Sequence, residues 1–140
     1  MINPRAAAAA LAVALFFAAV TDYVPAFIDA DGRVFGLFRL DIYKDALHVA
    51  SAAWAATAAL LSRRAARTFL TIFGTLYFAD GVLGVFTGAG YLDLSIIIQG
   101  VSDAPERIKI LTSIPHLGLG AFGMFCGFMS TDESPKGAAA

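Results

Sequence analysis

Four ionisable side chains stand alone in apolar surroundings: Asp22, His48, Asp80 and His116. An ionisable group inside an apolar helix turns toward a partner or a polar cavity, because lipid does not solvate it. An Asp within reach of a His can lock two helices by hydrogen bonding, relay a proton, or orient a ring nitrogen toward a metal. Two histidines at matched depth would suit axial ligation of a haem or a pigment, and with carboxylates beside them a divalent metal. Asp45 belongs to the same set. Residues 36–59 bring Asp41, Lys44, Asp45 and His48 into two helical turns and then carry no charge until Arg63.

Other chemistry is thinly represented. Ser51, Thr57, Thr112 and Ser113 read as helical or capping hydroxyls, and a serine near His116 makes no triad without a third group and an oxyanion site. The single cysteine, Cys126, lies in an apolar run and reads as a packing residue. Gly118, Gly120 and Gly123 match a dinucleotide fingerprint as text, but no strand precedes them, so they read as helix-packing positions. The expectation is a protein without catalytic residues.

The elements that position these groups follow from composition. Of 140 residues, 59% are hydrophobic and 15% charged, against about 45–50% and about 25% in soluble domains. A chain this small buries too little surface to hide so much apolar area in a soluble core, so the lipid bilayer is the expected surrounding. A net charge of −1 gives no basis for a nucleic-acid partner.

The apolar blocks predict an all-α, four-helix transmembrane bundle, up-down-up-down, in one domain over residues 1–140, with helices at about 6–28, 41–61, 67–88 and 104–130 and a flexible tail at 131–140. The first block resembles a signal peptide at its start, but its cleavage pattern is poor and it stays apolar to Ile28, so an uncleaved helix is expected. Asp41 is the expected cap of the second helix and Asp103 of the fourth, with Pro115 bending the latter just before His116. Residues 91–98 are apolar yet too short to span, and suit an interfacial or strand-like cover over the outer mouth. Arg63, Arg64 and Arg67 in a tight loop place that loop and both termini in the cytoplasm.

Small residues recur at helical spacing: Ala52, Ala55, Ala56 and Ala59 in the second helix, Gly84 and Gly88 in the third, Gly123 and Gly127 in the fourth. Such stripes permit close backbone approach in lipid, within the chain, to a membrane-protein partner or in a homo-oligomer. Counting inward at about 1.5 Å per residue, Asp22, His48, Asp80 and His116 all fall roughly 8–12 Å below the outer surface. Each odd helix carries an Asp near its outer end and each even helix a His near its outer start. That pattern fits a tandem repeat of two helical hairpins.

The segments Gly36-Leu37-Phe38, Asp41, Lys44-Asp45 and His48, with Pro115-His116-Leu117-Gly118-Leu119-Gly120 and Val24-Pro25, resemble a family of bacterial four-helix integral membrane proteins known only as a domain of unknown function. The chain departs from the family at Lys44, where a His is common, and at Asp45, where an Asn is common. The resemblance implies a four-helix membrane protein and no established activity. The leading expectation is therefore a small non-enzymatic accessory or structural subunit packed against other membrane helices. The alternatives are a subunit binding haem, pigment or metal in an electron-transfer or photosynthetic complex, and a small proton-coupled transporter.

Overall fold

In the computed structural model, which describes residues 1–131, the first helix starts where its end groups can be satisfied. Asn3 caps α1 (Pro4–Val20) by accepting from the Arg5 backbone N–H at 3.1 Å, and Pro4 occupies the first turn, where a missing N–H costs nothing. The helix expected to reach residue 28 stops at Val20. Pro25 is the physical reason, since a residue before proline is forced out of the helical region and Val24 is extended at φ −105°, ψ 106°. Two single 3-10 turns follow, Thr21–Tyr23 and Pro25–Phe27. The chain then folds on itself, with Val34 buried and bridged to both Ile28 and Phe38.

Asp41 caps α2 (Ile42–Leu61) as expected, accepting from the Tyr43 and Lys44 backbone at 3.0 and 3.1 Å. Ser62 is both the extended end of α2 and the cap of α3 (Arg63–Thr87), so one residue reverses the chain. Gly88, at φ +70°, closes α3 through its N–H to the Gly84 carbonyl. A single helical turn, α4 (Ser95–Ile98), interrupts the next loop, and α5 (Glu106–Met129) follows. The expected cap Asp103 plays no part: Pro105 holds that position with no side-chain bond. Pro115 sits inside α5 without ending it, as proline in an apolar helix can when neighbours replace the lost bond. Of the expected tail, residues 132–140 lie outside the described residues.

The described residues are all-helical, with five helices and no strand. Three helical stretches, Pro4–Tyr23, Arg63–Thr87 and Glu106–Met129, are long and apolar enough to cross a membrane. The second helix is of similar length but falls outside that group, because Lys44, Asp45, His48 and Ser51 occupy its first turns. Large apolar side chains such as Val13, Leu60, Phe86, Phe125 and Phe128 stand exposed, as expected of faces turned to lipid.

Packing orders the helices in antiparallel pairs. Arg5 at the start of α1 donates to the Ala59 and Leu60 carbonyls at the end of α2, while Tyr23 beyond α1 reaches Asp45 at the start of α2. Ala52, Ala55 and Ala59 are buried in a core with Ala8, Leu11 and Leu15 of α1 and with Phe69, Leu70 and Phe73 of α3; Ala56 is only half-buried, and Ala58 takes the inward place instead. The seam between α3 and α5 is closer still. A Cβ on Gly74 would fall inside the backbone of Gly123 and Met124, one on Gly120 inside Phe78, and one on Gly127 on Thr71. Gly84 faces Ser113, and Gly88, besides closing the helix, lies against Ser102 and Lys109. These small-residue stripes are consumed within the chain.

Candidate functional site

The loops at residues 21–41 and 88–105 gather at one end of the molecule, opposite the Ser62 reversal. There α3 and α5 bring Asp80 and His116 together, with His116 Nδ1 2.6 Å from Asp80 Oδ2. Their positions follow from the glycine seam: Gly81 packs on Leu117 one residue further along each helix, so the two helices meet closely enough for the pair to form. Asp80 is only 2% exposed. Its other oxygen accepts from the backbone N–H groups of Tyr91 and Leu92 at 2.7 and 2.9 Å. Residues 91–98 form no strand: a turn wraps the Asp80 carboxylate and leads into α4, where Ile97 and Ile98 stand exposed. Gly90 allows the wrap, since a Cβ there would lie 2.7 Å from Asp80 Oδ2.

His48 on α2 joins this pair through its ring, 6.1 Å from that of His116 and nearly perpendicular to it. His48 is 8% exposed and its Nδ1 has no hydrogen-bond partner. Beneath the histidines, Tyr77 lies 5.0 Å from His116, and its hydroxyl meets Ser51 Oγ at 2.9 Å. Phe73, Phe69 and Trp54 continue a column of rings toward the opposite end. Ser51 lies three residues after His48, so its place on the same helix face was readable from spacing. The backbone donors of Tyr91 and Leu92 carried no signal in residue type.

Asp22, His48, Asp80 and His116 were expected at one level, each odd helix supplying an Asp and each even helix a His. The structure pairs them differently: Asp22 lies beside Asp45, and Tyr23 donates its hydroxyl to Asp45 Oδ2 at 2.8 Å. Oδ1 of Asp22 and Oδ1 of Asp45 are both buried without a partner, an arrangement in which facing carboxylates repel unless a proton sits between them. The early end of α1 moves Asp22 off the helix and breaks the match between the hairpins. At the rim, Asp41 and Lys44 form an ion pair, and Lys44 also lies 3.5 Å from Asp93. Burial raises the Asp41 carboxyl, but the Lys44 ammonium and the Tyr43 and Lys44 N–H donors outweigh it and hold the group below its ordinary 3.8.

Between α2 and α5, under the two loops, lies a cavity of about 630 Å³, within the range of small-molecule sites. Phe17, Leu37, Leu47 and Leu119 supply apolar wall, and His48, His116 and Asp80 a polar floor. The hydroxyls nearby are engaged in their own helix, Thr112 with the Ile108 carbonyl and Ser113 with that of Lys109. Among the described residues, no three His, Cys, Asp or Glu side chains converge as metal ligands. The layer of five resolves into an Asp22–Asp45 corner and an Asp80–His116 pair with His48 beside it. No protein-family model matches the chain, and no curated protein or solved structure matches it either.

Proposed function

We propose that this chain is a non-enzymatic four-helix protein of the bacterial plasma membrane, up-down-up-down with both termini cytoplasmic, and a relative of the four-helix family its segments resemble. In this reading α2 is the fourth crossing, and the chain holds an amphipathic small molecule in the cavity between α2 and α5. The observation that carries the reading is buried His48, whose Nδ1 has no hydrogen-bond partner, in the lining of a cavity of about 630 Å³ that sets apolar wall beside polar and charged groups. A buried polar atom without a partner costs about 1–3 kcal/mol, which a bound molecule with a hydrogen-bonding group recovers. The small-residue stripes do not support packing against a partner helix, because Ala52, Ala55, Ala59, Gly123 and Gly127 already face neighbours in the chain.

The test is alkylation of a single cysteine at Thr112→Cys, in a Cys126→Ala background, with the protein in dodecyl maltoside micelles. Added lipid should slow alkylation at residue 112 and leave a Ser62→Cys control, at the opposite end, unaffected. Equal rates at residue 112 with and without every lipid tried would defeat the reading. A second reading, haem or pigment ligation, is favoured by one feature: His116 lines the cavity, and the Asp80 bond pins its Nδ1 while leaving its other nitrogen outside that bond. Protein purified from its native membrane would then show a Soret or pigment band that His116→Ala removes.

A further inference from the structure

The cavity between α2 and α5 has a charge imbalance in its lining. Two carboxylates face it, and both are already bonded. Asp80 accepts from His116, Tyr91 and Leu92, and Asp93 accepts from the Ser95 N–H at 3.0 Å and lies near Lys44. Four cations face it as well: Arg33, Arg39, Lys44 and Lys109. Lys44 is held by Asp41, but the side chains of Arg33, Arg39 and Lys109 make no ion pair or hydrogen bond among the described residues. Arg39 is exposed and the other two are half-buried, while His48 at the floor is buried. The lining therefore runs from free positive charge at the open side, past apolar wall, to the buried His48 ring.

Resting on the reading of this cavity as an amphiphile site, we propose that it takes an anionic glycerolipid of the surrounding leaflet. The phosphate lies among Arg33, Arg39 and Lys109, an ester carbonyl bonds His48, and the acyl chains run along Leu47 and Leu119. Three features select this ligand over others. A free inorganic anion would meet the cations but leave the apolar wall and His48 unused. A neutral lipid would leave three cations without a counter-charge in a partly buried setting. The loop end also belongs at the membrane surface, because the apolar stretches of α1, α3 and α5 stop there and the loops carry Asp29, Asp31 and Asp103, with Glu106 opening α5, so lipid headgroups stand at the level of the three cations.

The same cysteine at residue 112 reads this out. Phosphatidylglycerol should protect it at lower concentration than phosphatidylcholine, and Arg39→Ala and Lys109→Ala should each weaken phosphatidylglycerol about fivefold, as expected for one basic group near an anionic headgroup. The effect on phosphatidylcholine should be smaller. His48→Gln, which keeps a hydrogen-bonding group, should retain protection, and His48→Phe should lose it for both lipids. Equal protection by the two lipids overturns the anionic assignment while leaving an amphiphile site in place, and no protection by either overturns both. Protection by inorganic phosphate alone assigns the cations to a free anion and overturns the lipid. Circular dichroism of each variant in the same micelles reports whether it is folded, and only folded variants enter the comparison.

Discussion

Replacing Asp80 separates its two oxygens. One accepts Tyr91 and Leu92 N–H and the other faces His116, with the side chain 2% exposed. Asp80→Ala leaves three donors without an acceptor. Hydrogen bonds to a charged group are worth about 1.5–3 kcal/mol each in soluble proteins, but polar contacts between membrane helices average about 0.6 kcal/mol. Taking the smaller value for the interhelical bond and an intermediate one for the loop donors gives a loss of about 2–5 kcal/mol. Asp80→Asn keeps an oxygen for the loop and presents an amide N–H₂ to His116, so about 1–2 kcal/mol is expected. Reversible unfolding by sodium dodecyl sulfate in mixed micelles measures both. The same Asn variant changes the proton on His116: with Asp80 as acceptor the ring carries hydrogen on Nδ1, and with an amide donor there it moves to Nε2. Nitrogen NMR of labelled histidine reads that tautomer. An Asp80→Ala loss under about 1 kcal/mol, or an unchanged His116 tautomer in Asp80→Asn, would mean that Asp80 is not the acceptor that holds the loop and His116.

Two further outcomes follow from other parts of the fold. Gly120→Ala drives a methyl into the Phe78 backbone and should destabilise the α3–α5 seam by about 1–3 kcal/mol, whereas Gly118→Ala points into open space and should be neutral or stabilising by up to about 1 kcal/mol; detergent unfolding of the pair checks the contrast. The Asp41 carboxyl, held low by Lys44, adds stability that is complete above its unfolded pKa of about 3.9 and is lost as pH falls through its lower folded value. An acid titration of unfolding should show Asp41→Asn lacking that component, the two proteins converging at the lowest pH.

The glycines show why sequence reading reached only part of the packing. Gly120, Gly123 and Gly127 were read as packing positions and do sit in the seam, but Gly118, read the same way, faces open space, while Gly74 and Gly81 approach their neighbours as closely and were not picked out. Which face of a helix meets which neighbour depends on the rotation of both helices, and one sequence specifies only spacing along each. Helix ends were legible at the Asp41 cap, at Leu61 and near Gly88, but the expected start of the third helix at 67 was late: Ser62 caps α3 through the Ala65 N–H, so the arginines expected in a loop form its first turns. Val24-Pro25 was noticed for its resemblance, yet its local meaning, an extended residue before proline, is what ends α1 eight residues early.

What the sequence determined alone was the helical class, the apolar surface, the Asp41 cap and the set of isolated ionisable groups, because each depends on residue type and near neighbours. Tertiary structure decided the pairing. Asp80 meets His116 because α3 and α5 pack in register through glycines, while the end of α1 at Val20 turns Asp22 toward Asp45 and leaves His48 to face His116. The turn at residues 90–92 that wraps Asp80, and the cavity between α2 and α5, arise from backbone brought together from distant parts of the chain. No local preference encodes such contacts, since they exist only once the helices have chosen their neighbours.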